Sequence, residues 1–442
     1  MTFSQASLLH KLAALGKEAS PAKRYVVAFS GGLDSTVLLH SLAGAVDVPL
    51  LAVHVDHGLQ PDSANWSARC AAIAESLRVE FRAERVSLEP SPEQGVEAAA
   101  REARYAVFAA LLREADWLLS GHHQDDQAET VLLNLLRGSG PAGLAGIAAI
   151  RPFAAGFLAR PLLSFARSEL QAYAEAQGLA WIEDPSNQDR RFDRNYLRHE
   201  ILPTLEARWP EAAKTLRRSS GHAGDAAALL DDLAAIDMAG LGARCDRLRI
   251  DALLALPAAR QRNVLRYAIR QSNLPPPSAA HLQRVLDEVV MARPDAEPVV
   301  RWPGTEVRRY RNALYLLPAA SAERLDDVRA TVRGERIELA PGMGCLRLEQ
   351  NAAAGLSAAL LAQGLELRYR QGGEKFQPAG QSHTKKLKKL LQEAGIVPWM
   401  RDRIPLLYAG DELVAVADLW LAAAAVSKPG VAVHWDDRPA IL

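Results

Sequence analysis

A chain of 442 residues exceeds what one ordinary hydrophobic core can organise, and its length predicts about three domains. With 49% apolar and 24% charged residues it has the composition of folded globular proteins, which excludes disordered and fibrous classes. Its 52 Lys and Arg balance 52 Asp and Glu, so net charge carries no sign of a nucleic-acid partner, and any such sign must be local.

Met1 to Lys17 has no basic run ahead of an apolar stretch, and no window reaches the ~18 uninterrupted apolar residues of a membrane span, so a cytoplasmic protein without a membrane partner is expected. Cys70, Cys245 and Cys345 lie far apart in the chain. They can build neither a disulfide framework nor a four-ligand zinc site, and each reads as a buried structural thiol.

From Lys23 to about Gly121, short apolar runs alternate with longer amphipathic ones. The runs Tyr25-Val-Val-Ala-Phe29, Leu50-Leu-Ala-Val-His-Val55 and Trp117-Leu-Leu-Ser120, with a more polar Val79 to Val86 between the last two, predict βαβ units. The implied fold class is α/β, a parallel sheet covered by helices on both faces, in a first domain at residues 1–212. Ligands of such sheets bind beyond the carboxyl ends of the strands, where Ser30, Asp56 and Gly121 emerge. After about Pro210 the text becomes Ala- and Leu-rich over Asp225 to Ile236, Pro257 to Gln271 and Ser278 to Met291, then alternates as a hairpin around Arg311-Asn312. These features predict a mainly helical domain at 213–320. A soft stretch, Pro318 to Asp327, leads to a small α+β domain at 328–442.

The first chemistry-bearing motif is Ser30-Gly31-Gly32-Leu33-Asp34-Ser35. A strand ending at Phe29, two glycines and a helix starting near Asp34 put backbone N–H groups at a helix N-terminus, which favours anions. Gly31 and Gly32 admit close backbone approach, and the Ser30 and Ser35 hydroxyls add donors. The motif lacks the Gly-Lys-Ser/Thr of a Walker A loop and the third glycine of a dinucleotide fingerprint. It resembles instead the signature of the PP-loop ATP pyrophosphatases, adenine nucleotide alpha hydrolase-like proteins that grip the β,γ-pyrophosphate of ATP and leave the α-phosphorus open to attack. On this reading Asp34 is a ligand of the bridging Mg²⁺. The alternative is a plain strand-turn-helix junction with Asp34 and Ser35 as caps.

Two further segments emerge at the same rim. His54-Val-Asp56-His57-Gly58-Leu ends the second strand, and in the resembled family this segment flanks the nucleotide, implying ATP-binding roles for His54 and Asp56. Gly121-His122-His123-Gln-Asp125-Asp126-Gln-Ala-Glu129-Thr130 follows. Read as continuous helix, it stacks His122, Asp126 and Glu129 on one face at i, i+4 and i+7. Asp34, His122, Asp126 and Glu129 form the candidate catalytic set.

With Gly138-Ser-Gly140, Arg160-Pro-Leu-Leu163, Glu183-Asp-Pro-Ser-Asn187, Arg194-Asn195-Tyr-Leu-Arg198, Gly372-Gly373-Glu-Lys375 and Val397-Pro-Trp-Met-Arg401-Asp402-Arg403, these segments resemble the tRNA(Ile)-lysidine synthetase family. The likeness is dense over residues 25 to 203 and 365 to 420. It implies a ligase that uses ATP and Mg²⁺ to activate the C2 carbonyl oxygen of the wobble cytidine in the CAU-anticodon tRNA(Ile). The ε-amine of L-lysine then displaces AMP. The resemblance puts lysine recognition at Asp126 and Glu129, which can pair with an ammonium and accept its proton. It adds Asn187, Arg194, Asn195 and either Arg101 or Arg104 as substrate contacts. Spacing does not choose between these two arginines, and homodimerisation stays open.

Local charge appears between Arg368 and Arg403, where nine Lys or Arg face three Asp or Glu. Arg368, Arg370, Lys375, Lys385, Lys386, Lys388, Lys389, Arg401 and Arg403 are the candidate tRNA contacts. The four clustered lysines read as two turns of one helix suited to phosphates. A tRNA-thiolating relative would need cysteines near the site, and an ammonia-dependent small-molecule ligase would not need the basic domain. A catalytically silent RNA-binding factor would not need the full Asp34, Asp126 and Glu129 set.

Overall fold

In the computed structural model, residues 2–58, 63–86, 96–184, 188–242, 244–293, 296–319, 330–331, 336–439 and 441 are described. The chain divides into two compact units, Met1–Asp232 and Leu233–Leu442.

In the first unit, β1 (Arg24–Ala28) carries Val26 and Val27, both fully buried although successive side chains leave opposite faces of a strand. Such a strand must be covered on both sides. With β2 (Leu50–Asp56), β3 (Glu80–Arg85), β4 (Asp116–Leu119), β5 (Ile150–Phe153) and β6 (Gly156–Ala159) it forms a six-stranded sheet in the order β3-β2-β1-β4-β6-β5. All pairings are parallel except β5 with β6. One face packs Val27, Ala52, Trp117 and Leu119 against α1 (Gln5–Leu15), α2 (Leu33–Leu42), α3 (Ser63–Ser76) and α7 (Arg167–Ala176). The other packs Val26, Val53 and Leu118 against Phe108 of α4 (Val96–Leu111).

The chain runs outward from β1 to β3, then crosses back to β4 on the other side of β1. Strand order therefore reverses between β1 and β4, and ligand crevices open at such points. The loop after β1 leads into α2 and the loop after β4 into α5 (Gln124–Leu136). Further on come α6 (Pro141–Leu144), α8 (Asp193–Tyr196), a π-helical turn (Leu197–Ile201), α9 (Leu202–Arg208) and α10 (Ala212–Leu241). Ala213 and Leu216 of α10 pack with Leu202 against Ala128 and Leu132 of α5. No described helix is long and apolar enough to cross a membrane.

The second unit takes in the end of α10 and a strand at Arg247–Arg249, followed by helices at Ile250–Leu254, Ala258–Gln271 and Ala279–Arg284. They pack on a four-stranded antiparallel sheet that includes the expected hairpin, Thr305–Tyr310 with Ala313–Pro318. Arg311, at φ +55°, turns that hairpin. Two five-stranded sheets of antiparallel pairs and short helices then enclose a core containing Leu346, Leu367, Leu390, Leu407 and Trp435. The four clustered lysines do not share one helix. Lys385–Lys386 is a short strand paired with Lys375–Phe376, and the helix begins only at Leu387 and ends at Glu393. Ribbon pairing takes Lys386 into the extended region (ψ 131°), so the helix cannot start earlier.

Candidate active site

The loop after β1 is held from below. Gly31 has φ +77°, and a Cβ there would lie 2.7 Å from Cys70 Sγ and 2.8 Å from Ile182 Cδ1. Only glycine fits both the dihedral and the space. The Ile182 N–H donates to the Gly31 carbonyl (2.8 Å), and Thr36 Oγ1 donates to the same oxygen (3.3 Å). Ser35 Oγ donates to the Gly32 carbonyl and lies 3.1 Å from Ser30 Oγ, which accepts from the Gly32 N–H. Gly32 is the N-cap of α2 and has no side chain to cap the helix, so the first amides of Leu33, Asp34 and Ser35 are presented as a cradle for an anion.

The loop after β4 touches this cradle. A Cβ on Gly121 would lie 3.1 Å from the Asp34 carbonyl carbon and the Ser35 nitrogen. Here the structure corrects the helical stack expected of His122. His123 is the N-cap of α5, in extended conformation, and its N–H donates to Asp126 Oδ2 (3.0 Å) while its ring Nδ1 accepts from the Asp125 N–H (3.2 Å). This reciprocal cap starts the helix at Gln124 and leaves His122 in the loop, bonded to Ser120 Oγ (2.9 Å). Asp126 and Glu129 do share one helix face.

His123, which sequence reasoning passed over in favour of His122, is the link between the two loops. It is 1% exposed, and its Nε2 lies 3.7 Å from Asp34 Oδ2 and 3.5 Å from Asp126 Oδ2. Burial would lower its pKa, but Asp126, Asp125 and Asp34 outweigh burial and raise it. His122 has the opposite fate. Burial first, then the charges of Arg160, Arg194 and Arg101 against that of Asp126, bring it down to about 4. It is a neutral imidazole near pH 7.

Asp126 and Glu129 are not open carboxylates. Arg198 donates from Nε to Glu129 Oε1 (2.6 Å) and from Nη2 to Glu129 Oε2 and Asp126 Oδ1 (both 3.0 Å). Arg194 donates from Nε to Glu129 Oε2 (2.7 Å) and from Nη2 to Asp126 Oδ1 (3.2 Å). Burial would raise Asp126, but His123 and Arg194 outweigh it and hold the carboxyl below its usual range. The sequence motif contains Arg198 but assigns it no role. Its position at i+4 from Arg194 was the available signal.

Asp34 differs. Its pKa is raised, by burial foremost, and its buried Oδ1 has no hydrogen-bond partner. A carboxylate oxygen left unpartnered beside a phosphate cradle is suited to a cation. Among the described residues no group of three His, Cys, Asp or Glu side chains could hold a metal by itself. Mg²⁺ shared between one carboxylate and a ligand's phosphates needs no such group.

The remaining candidates are distributed as follows. His54 is buried beneath the loop, its Nδ1 bonded to the Phe29 carbonyl (3.0 Å). Asp56 Oδ1 accepts from the Gly58 N–H (2.8 Å) at the end of β2. Arg101 and Arg104 are both exposed on α4, but the charge of Arg101 acts on His122 and Arg160 while that of Arg104 acts on His57. Asn195 Nδ2 donates to the Asp189 carbonyl (2.9 Å), and Asn187 lies outside the described residues.

In the C-terminal domain several candidate cations are engaged within the fold. Arg368 Nε donates to Glu366 Oε2 (2.7 Å) with its guanidinium over the Tyr408 ring, Arg370 pairs with Asp402, and Arg401 donates to the Ile396 carbonyl (2.9 Å) and the Tyr310 hydroxyl (3.2 Å). Lys385 Nζ meets Glu393 Oε2 at 2.9 Å. Lys375, Lys386 and Lys388 are exposed and have no ion pair among the described residues, exposed Lys389 lies 3.9 Å from Glu393, and Arg403 is half-buried.

Family models match along the same order of segments: a PP-loop domain at residues 4–205, a TilS substrate binding domain at 248–315 and a TilS substrate C-terminal domain at 365–435. A solved U34-tRNA thiolase from Methanococcus maripaludis is similar over 50% of this chain and 80% of its own, with TM-score 0.41 and 18% identity. Among curated proteins, the tRNA(Ile)-lysidine synthase of Coxiella burnetii is 42% identical over 89% of this chain and 88% of its own length. That of Alkalilimnicola ehrlichii is 44% identical over 97% and 96%. At such identity over nearly the whole of both chains, this chain belongs to the tRNA(Ile)-lysidine synthase family.

Proposed function

We propose that the crevice between β1 and β4 binds ATP, adenylates the C2 carbonyl oxygen of the wobble cytidine in CAU-anticodon tRNA(Ile), and admits free L-lysine to form lysidine. The observation that carries this reading is the close approach of the loop leading into α5 to an uncapped helix N-terminus at Ser30–Ser35, with His123 bridging Asp34 to Asp126 of the acid pair, in a chain of this family. The cytidine oxygen attacks the α-phosphorus and the bond to pyrophosphate breaks. The lysine ε-amine, having lost a proton, then attacks C2, and the carbon–oxygen bond to AMP breaks.

Ser30, Gly31, Gly32, Leu33 and Ser35 hold the leaving pyrophosphate through backbone N–H and hydroxyl donors. Asp34 offers its unpartnered oxygen to Mg²⁺, which when bound supplies charge neutralisation for the phosphates. His123 keeps Asp34 and Asp126 in register. Asp126 and Glu129 receive the lysine ammonium, and Arg101, whose charge acts on His122, is an arginine contact of the substrate.

The chain works as three segments, 1–212 for catalysis and 213–320 and 328–442 for tRNA, a division supported by the order of the family models. Lys375, Lys386, Lys388 and Lys389 supply phosphate contacts. Lys375 and Lys386 are directly opposed across their ribbon, a like-charge pairing that a bound anion would relieve. On α10, Lys214, Arg217, Arg218 and His222 line a concavity of about 340 Å³ and offer a second basic surface.

The test is nucleoside mass spectrometry of tRNA(Ile) after incubation with ATP, Mg²⁺ and lysine. A mass gain on cytidine matching lysine less one water is expected. ATP consumption without modified cytidine would defeat the reading.

A further inference from the structure

The pocket assigned above to lysine is already filled by cations of the chain itself. Glu129 is fully buried and Asp126 is 8% exposed, whereas the side chains of Arg194 and Arg198 retain 36% and 26% of their accessibility. The guanidinium groups are thus the outer layer, and an ammonium arriving from solvent meets them before it meets either carboxylate. All four carboxylate oxygens are occupied: both of Glu129 and Oδ1 of Asp126 by the arginines, Oδ2 of Asp126 by the His123 N–H.

Charge gives the same answer as geometry. Two arginines neutralise the Asp126 and Glu129 carboxylates, so a third cation entering between them would find both already paired and would lose its water. Lysine must therefore replace a guanidinium rather than join it. The displaced arginine needs an anion within reach. Arg198 is connected to Asp34, at the start of α2, through Asp126 (3.0 Å) and His123, whose Nε2 lies 3.5 Å from Asp126 Oδ2 and 3.7 Å from Asp34 Oδ2, so the phosphate cradle is one side chain beyond the acid pair. Arg198 also sits in the π-helical turn Leu197–Ile201, with Arg194 one turn earlier in α8. Such turns are rare and concentrate where a helix adjusts locally.

We propose that Arg194 and Arg198 are positioning residues that occupy the lysine site in the free enzyme, and that phosphates bound at Ser30–Ser35 draw Arg198 away and open the acid pair to the lysine ammonium. Lysine then enters after nucleotide, and the amine is excluded from an enzyme that has nothing to activate. This inference rests on the lysine-ligating function proposed above.

The experiment measures equilibrium binding of radiolabelled L-lysine to the full chain, alone and with saturating α,β-methylene-ATP and Mg²⁺, at fixed ionic strength. Nucleotide is expected to tighten lysine binding by roughly tenfold or more. In Arg198→Ala, lysine is expected to bind without nucleotide about as tightly as it binds the nucleotide-loaded parent, and the added effect of nucleotide should shrink toward onefold. A purely structural role for Arg198 would weaken lysine binding in both states. Equal lysine affinity of the parent enzyme with and without the analogue overturns the inference, and that comparison needs no variant to fold. If lysidine still forms in that case, the proposed function stands and only the gating fails; if the parent enzyme forms no lysidine on tRNA(Ile), the function itself fails.

Discussion

Arg194 and Arg198 in the catalytic crevice and Arg336 and Arg368 in the C-terminal domain find their carboxylates at different distances along the chain. Arg194 and Arg198 meet carboxylates 65 to 72 residues away, on a helix they reach only through the fold. Arg368 meets Glu366 two residues back on the same strand face, and Arg336 meets Glu338 two residues ahead. Long-range pairing concentrates four charges in one partly buried cluster where each change is felt by the others. Neighbour pairing spreads charge over a surface where each exposed pair contributes little. A count of basic residues cannot distinguish the two, because it records the cations and not what they face.

The largest expected effect tests the crevice at Asp34, whose buried Oδ1 has no hydrogen-bond partner. Asp34→Ala should lower tRNA-dependent pyrophosphate release by about 10³-fold or more while tRNA affinity stays within about twofold. A variant that retains pyrophosphate release would remove Asp34 from the chemistry. Next is Glu129→Gln, which leaves two arginines facing one charge fewer. It should reduce kcat/KM for lysine by about 10²-fold with a smaller effect on adenylation, and lower stability by about 2 kcal/mol, tempered by the partial exposure of both arginines. Equal loss in both half-reactions would make the acid pair structural. Arg368→Ala is its counterpart in the other region and should cost less than about 1 kcal/mol.

The sheet, the Ser30–Ser35 loop and the Asp126–Glu129 face are legible in the sequence because each is written locally, in apolar runs, paired glycines or a helical interval. What escapes is whatever depends on a partner far away in the chain. His123 looks interchangeable with His122 until the N-cap assigns one to the helix and the other to the loop. The closure of the acid pair by Arg194 and Arg198 is invisible because nothing near residue 126 announces residue 198. Lys385 and Lys386 read as helix because their run is helical in composition, and only pairing with Lys375–Phe376 makes them a strand.

That distinction orders the RNA-binding expectations. Replacing Lys375, Lys386, Lys388 and Lys389 with Ala should weaken tRNA binding by about tenfold and flatten its salt dependence by up to about one log unit per lost contact. Replacing Arg368 and Arg370, already held by carboxylates, should change the salt slope by less than one contact's worth. Similar slopes for both sets would mean that pairing with a carboxylate does not withdraw an arginine from RNA.

The smallest effect concerns His122, surrounded by Asp126, Arg160, Arg194 and Arg101, three of them cations. With its pKa at about 4 in the fold, below the ordinary 6.5, the native protein refuses a proton that the unfolded chain accepts. Its contribution to stability is therefore fully present above about pH 6.5 and declines as the pH falls toward about 4. Between about pH 7 and pH 5 this amounts to about 1 kcal/mol, allowing for partial solvent screening of the ring. His122→Gln keeps a side-chain group able to bond Ser120 but cannot titrate, so urea unfolding of the variant should be flatter with pH over that interval. Parallel profiles for the two proteins would mean that the imidazole takes up its proton equally well in both states, and that the cations facing it are better screened by water than those holding Glu129.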